Sequence, residues 1–257
     1  MIYTESEIAL KAQIDELNKK WKNHLINSTA DLQTKELIQT SYVNDGFYPE
    51  YTHQKIKILF IGKESLDLSG NNYIETLFEA CHNKLIGNTP LNQHRFHSTM
   101  LYITYALQHG VYSWAEIPYA TEFVDNFGVP GGLSFAFMNL SKLSNDSGNW
   151  MADYELIDLF LELSSKSDFD FFAREIDIVN PDLIVTMNLG ERMGYLGTCS
   201  ELKRYGENND VCYQILTTSL EKQSPLIDTW HFSAPSKSPE RDIFLPLLEA
   251  LRDNHII

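Results

Sequence analysis

From Ile56 to Ile61 the chain reads Ile-Lys-Ile-Leu-Phe-Ile, and the apolar run then stops at Gly62, with Lys63, Glu64 and Ser65 directly behind it. A short, nearly continuous apolar run of this kind reads as a parallel strand covered on both faces. In open α/β sheets ligands bind outside the carboxyl ends of such strands. One segment therefore limits both fold and function: it asks for helices on both sides of a sheet, and it places residues 62–65 along any site.

Three other segments end in the same manner. Phe135–Leu140 leads into Ser141 and Lys142, Leu183–Met187 into Asn188, Leu189 and Gly190, and Leu226–Trp230 into His231, Phe232 and Ser233. Between these strands the spacing predicts helices over 73–85, 96–107, 151–163, 168–179 and 240–252, the last opened by Ser238-Pro239. A short helix is expected at 189–196 and a further strand at 211–216. Asn180-Pro181 stops the fourth of the long helices, and the turn-rich Asn145–Asn149 reads as a loop able to act as a lid. Strands alternating with helices indicate an α/β fold with a largely parallel sheet. The first 50 residues read as a helical segment packed on the main domain of residues 51–257. Thr4 and Glu7 have capping-box spacing, and Ile14, Leu17, Trp21 and Leu25 recur at helical intervals. A second helix is expected over 30–39.

The chain of 257 residues carries 20 Lys and Arg against 35 Asp and Glu, a net charge of −15. Proteins that grip duplex DNA usually present a basic face, so this balance favours a small-molecule or protein partner over a duplex. No window approaches the roughly 18 apolar residues of a membrane span, and no basic-then-apolar leader opens the chain. Cys81, Cys199 and Cys212 are far apart and form no C-x-x-C pair, which argues against a disulfide framework, a zinc knuckle or a Cys-held cluster. A cytoplasmic, reduced protein is the expectation, with no cofactor and no metal. His94 and His97 are spaced to share a helix face, but without a third ligand they read as surface or capping histidines.

The combination of strand ends resembles the uracil-DNA glycosylase superfamily. Gly62-Lys63-Glu64-Ser65 is similar to its Gly-led motif (G-Q-D-P-Y, or G-E-A-P-G), Asn139-Leu140-Ser141-Lys142 to its N-x-x-K, and His231-Phe232-Ser233 to its H-P-S. Asn180–Val185 resembles its P-x-x-I-V strand. Order and approximate spacing agree over residues 56–250. The resemblance implies a three-layer α/β/α domain with a short, mostly parallel, four-stranded central sheet. It also implies cleavage of a base–sugar bond, with Glu64 orienting water, Asn139 reading the base edge and His231 stabilising the departing base. A flipped base wants an aromatic face, for which Phe135, Phe137 and Tyr73 are candidates that spacing does not rank. The chain departs from the pattern in the longer Glu64, in Ser65 at the proline of the first motif, and in Phe232 at the proline of the last.

One expectation needs no relative. In an acidic chain every proposed site loop carries a lysine (Lys63, Lys142 and Lys237), with Ser65, Ser233 and Ser236 alongside and a helix start at Ser238. Together they predict a small positive island suited to a phosphate or other small anion. Three readings follow. The chain is an N-glycosidase acting on single-stranded DNA or a small nucleotide, or a nucleobase- or nucleotide-binding protein without turnover, or an acidic interaction protein with a vestigial pocket.

Overall fold

A computed structural model describes residues 1–257. The helices are α1 (Glu5–Asn27), α2 (Leu32–Ser41), α3 (Tyr73–Asn83), α4 (Arg95–His109), α5 (Ala120–Phe123), α6 (Tyr154–Ser164), α7 (Phe171–Val179) and α8 (Leu245–Asp253). The strands are β1 (Gly46–Phe47), β2 (Ile58–Gly62), β3 (Leu85–Ile86), β4 (Thr89–Pro90), β5 (Ala136–Asn139), β6 (Leu183–Met187), β7 (Thr198–Tyr205), β8 (Val211–Thr217) and β9 (Gln223–Thr229). Apart from the small β3–β4 hairpin they form one sheet in the order β1-β5-β2-β6-β9-β8-β7.

The α/β expectation holds, but the sheet has seven strands rather than four. Its centre is the parallel set β5, β2, β6 and β9. β1 adds antiparallel to β5 at one edge, and the β8 and β7 pair adds antiparallel at the other. The N-terminal segment thus supplies an edge strand as well as helices.

Side-chain alternation explains why the central runs are largely apolar. Ile58, Phe60, Val185, Met187, Phe137 and Ile227 enter one core with α3, α4 and α8. Leu59, Ile61, Ile184, Met138 and Leu226 enter a second core with α1, α2, α6 and α7. Adjacent residues of a strand point to opposite faces, so a strand sandwiched between two helical layers has no polar position to spare. The second core is anchored by Trp21 of α1, whose ring stacks on Phe171 at 5.0 Å and whose Nε1 donates to Ser164 at 2.8 Å.

Local chemistry sets the helix ends that matter for the site. Asp153 caps α6 by accepting from the Leu156 N–H at 3.0 Å, and Asp170 caps α7 through Ala173 at 2.9 Å. Asn180 ends α7 in the left-handed region, φ 49°, immediately before Pro181. The helix expected from 240 opens instead with a π-helical turn at Pro239–Phe244 before α8 begins. Pro246 has no N–H to donate to an i−4 carbonyl, so a regular α-helix could not run unbroken through this segment. The segment expected as a short helix at 189–196 is a 3₁₀ run over Gly190–Tyr195. No helix is long and apolar enough to cross a membrane.

Candidate functional site

The four parallel strands deliver their carboxyl ends to one rim. Gly62 lies directly opposite Asn139 in the β2–β5 register. A Cβ on Gly62 would come within 3.0 Å of both Asn139 Oδ1 and Phe137 Cζ, so a glycine is needed there for the amide to lie across the strand end. The Asn139 backbone N–H donates to Asp45 Oδ2 at 2.6 Å, while its side-chain Oδ1 is buried and has no partner.

An aromatic row continues from that amide. Tyr73 lies flat on Phe137, centroids 4.2 Å apart at 11°. Phe96, in the first turn of α4, meets Phe137 edge-on at 6.2 Å and stacks on the His231 ring at 5.2 Å and 29°. The Tyr73 hydroxyl is 3.1 Å from His97 Nε2, and His97 Nδ1 is 2.9 Å from His94 Nδ1. His97 is therefore a half-buried member of this wall, contrary to the expectation of a surface or capping residue, and burial lowers its pKa to about 3. No group of three or more His, Cys, Asp or Glu is placed to hold a metal ion.

His231 is partly enclosed. Burial, with the Lys63 charge adding to it, lowers its pKa to about 4, so the ring is neutral at pH 7. Its Nδ1 faces the Ser233 backbone N–H at 3.3 Å and accepts from it. A neutral imidazole has one N–H, which that bond assigns to Nε2. His231 is thus a neutral hydrogen-bond donor.

Glu64 leaves the same strand end toward α6. Its Oε1 accepts from the Asp153 backbone N–H at 2.7 Å and from Asn145 Nδ2 at 3.2 Å, while Oε2 is buried without a partner. Burial raises its pKa to about 7, against the lowering effect of those two bonds. The fold therefore prefers the protonated acid. The stability this confers is complete below about pH 4.5, the ordinary value, and is lost as pH rises through about 7. Glu64→Gln, an imitation of the protonated group, should melt with the wild type at pH 4.5 and above it at pH 8.5. Thermal unfolding at the two pH values checks this, and an equal offset at both would contradict it.

Lys63 stands between these groups. Its Nζ donates to the Tyr154 hydroxyl at 3.0 Å, and its charge acts on Glu64, His231 and Asp228 alike. The remainder of the expected positive island is not assembled. Lys142 is 0% exposed and pairs with Asp45 and, at 2.8 Å, with Glu175. It lies within the second core with its ammonium over Trp21, because a cation enclosed by a sheet and two helices must take its counter-ions with it. Lys237 pairs with Asp210 at 3.1 Å and lies over the Trp230 ring, turned toward the β7–β8 hairpin. Ser65 is buried, Ser233 is half-buried with its backbone committed to His231, and Ser236 is exposed. Of the aromatic candidates, Phe137 and Tyr73 belong to the rim. Phe135, buried like Phe137 but among Tyr48, Phe60 and Phe127, lies two residues deeper along the chain.

Sequence reasoning missed Asp45, which holds the Asn139 backbone, and Phe96, which faces His231. Nothing in their local pattern marks either one. Of the ten buried side-chain nitrogen and oxygen atoms without a partner, six lie at this rim or in the adjoining first turn of α4. They are Glu64 Oε2, Ser65 Oγ, Arg95 Nε and Nη2, Asn139 Oδ1 and Trp230 Nε1. Buried polar groups are ordinarily satisfied, so this concentration makes the rim the candidate site. A separate hollow of about 320 Å³ opens between Gly190, Met193, Cys199, Arg204 and Asp228, on the antiparallel side of the sheet. It contains none of these atoms. No family model, curated protein or solved structure matches the chain.

Proposed function

We propose that this rim is a nucleobase site and that the chain is a uracil-DNA glycosylase-like N-glycosidase, acting on a pyrimidine-type base in single-stranded DNA or a small nucleotide. The observation that carries the reading is the cluster of unpartnered buried polar atoms beside an aromatic row. A base supplies what Asn139 lacks, donors and acceptors on its edge for an amide that both donates and accepts, and its ring packs against the stacked Phe137–Tyr73 pair. Entry requires the rim to open, and the half-buried Phe96 ring against His231 is the side chain placed to yield.

The reaction breaks the bond between base nitrogen and sugar carbon, and the electron pair leaves with the base. His231 Nε2–H donates to a base oxygen as negative charge gathers there, a role that a neutral donor fills without surrendering its proton. Water adds to the sugar carbon and gives up a proton to Glu64 Oε2, the oxygen not held by Asp153 and Asn145. With its pKa raised to about 7 by burial, Glu64 is matched to that task near neutral pH. The charge of −15 favours a single strand or mononucleotide over a duplex.

A second reading, a nucleobase-binding protein without turnover, is favoured by the same carboxyl group, since Glu64 Oε1 already has two donors. Release of free base from uracil-containing single-stranded DNA separates the two. Release that fails with Glu64→Gln supports the enzyme. Thermal stabilisation by free bases or nucleotides without release supports the binding protein, and neither effect would end both.

A further inference from the structure

The unpartnered atoms of the rim sort by kind. Glu64 Oε2, Ser65 Oγ and Asn139 Oδ1, at and just past the ends of β2 and β5, are oxygens, whereas Arg95 Nε, Arg95 Nη2 and Trp230 Nε1 are nitrogens. Guanidinium and indole N–H groups donate and cannot accept. Arg95 opens α4, and Trp230 directly follows β9. Their chain neighbours Phe96 and His231 are the stacked pair, 5.2 Å apart, so the two donor groups flank that stack. A second set of contacts joins them. Asp242 acts on Arg95 and is itself acted on by Lys237, whose Nζ lies 4.1 Å from the Trp230 ring centroid.

The charged groups of this corner set the size of what it can take. Asp242 Oδ1 accepts from Arg241 Nε at 3.0 Å and Oδ2 from the Ser238 N–H at 2.6 Å, and Asp210 pairs with Lys237 at 3.1 Å. Glu207, which acts on Arg241, and Glu240 are exposed. The acids Asp210, Asp242, Glu207 and Glu240 outnumber the bases Arg95, Lys237 and Arg241, so no positive field draws in a polyanion from a distance. Of the three bases, however, only Arg95 stands outside an ion pair. Burial lowers its pKa, with Asp242 acting against that, and a guanidinium stays charged regardless. A cation and an indole N–H, each enclosed and without an acceptor, suit one compact anion met at hydrogen-bond range.

We infer that Arg95 and Trp230 Nε1 form an anion subsite for one phosphate, the 5′-phosphate of the nucleotide whose base lies at Asn139. The inference rests on the nucleobase-site reading and names the second group by which that ligand is held. A nucleotide is polarised as the rim is, since its base edge donates and accepts while its phosphate dianion only accepts. Phe96, against Phe137 on one side and His231 on the other, lies between the two ends, where the sugar joins them once the ring yields.

The test measures binding of deoxyuridine, dUMP and a five-nucleotide single strand with one central uracil by wild type, Arg95→Gln, Trp230→Phe and Asn139→Ala. The wild type is expected to bind dUMP at least about 10-fold tighter than deoxyuridine, the effect of one hydrogen bond to a charged group. Arg95→Gln should remove that advantage and Trp230→Phe should reduce it, with deoxyuridine binding unaltered as the sign that both variants fold. The strand carries the same phosphate as a diester and should lose as much as dUMP to Arg95→Gln, whereas a loss on dUMP alone assigns the subsite to free nucleotides. Equal wild-type affinity for dUMP and deoxyuridine, or an advantage that survives Arg95→Gln, overturns the subsite and leaves the base site standing. Binding of dUMP that depends on Arg95 but is indifferent to Asn139→Ala keeps the subsite and removes the base site. No binding of any of the three ligands overturns both.

Discussion

Lys142→Ala should destabilise the protein by about 3–5 kcal/mol, the range for removing one partner of a buried ion pair. For a chain of this size that corresponds to a fall in Tm of at least about 6 °C. The reason is arithmetic of charge. Lys142, Asp45 and Glu175 are all buried, and the three share one cation between two carboxyl groups. Burial alone would lower the lysine pKa, yet Asp45 and Glu175 hold it above its ordinary value, while burial pushes the Glu175 carboxyl up. Without the ammonium the two acids face each other in a dry core. In the variant no ammonium lowers the raised Glu175 pKa, so stability is retained at low pH and lost as pH rises through that folded value. The deficit should be larger at pH 8 than at pH 5. Combining Lys142→Met with Asp45→Asn and Glu175→Gln should recover most of the loss, since no charge is left unpaired. Denaturant unfolding of the variants at both pH values checks this. A single substitution costing less than about 1 kcal/mol would show that the triad is open to water.

His231→Ala should lower base release about 10²–10³-fold with little change in KM, the scale for removing one donor to a developing oxyanion. In the wild type, kcat/KM should rise with pH up to about 7 as Glu64 ionises, and its slope should steepen below about pH 4, where His231 gains a proton. Glu64→Gln should remove the limb at pH 7 along with most of the activity. Steady-state release of base across about pH 3 to 9 measures both. A profile flat from pH 5 to 8, or full activity in His231→Ala, would remove these residues from the chemistry.

The parallel core was legible because its strands had no alternative. Ile58–Ile61 is apolar without interruption and Leu183–Met187 is broken only by Thr186, and only a sheet covered on both faces accepts that pattern. Of the antiparallel strands only β8 was legible, expected over 211–216 and found over Val211–Thr217. β7 reads Thr-Cys-Ser-Glu-Leu-Lys-Arg-Tyr, is exposed over all but its last residue, and is broken by a register shift between Ser200 and Lys203. A solvated edge strand carries neither an apolar run nor a clean alternation. β1 has only two residues, too short for any periodic signal, and depends wholly on pairing with β5. Pro225 hid the start of β9, which pairs with β8 from Gln223 but with β6 only from Leu226. Pro225 therefore sits where β6 asks for no donor.

At the site, strand ends were readable and lysines were not. Glu64, Asn139 and His231 follow from where the apolar runs stop. A lysine just past a strand end can turn outward or inward, and only the counter-ions decide. Asp45 lies 97 residues before Lys142 and Glu175 lies 33 after it, so nothing local announces an enclosed triad. Phe135 and Phe137 share one face of β5, and only depth from the rim separates core from site.

The central claim is that the buried Asn139 Oδ1 is held for the edge of a base and Glu64 Oε2 for the water that attacks the sugar. A crystal structure of the protein grown with uracil tests this most directly. The account predicts the ring packed against the Phe137–Tyr73 pair, its edge within about 3.2 Å of the Asn139 amide, and Phe96 displaced from His231. An ordered water on Asn139 Oδ1, with uracil bound elsewhere or not at all, would contradict it.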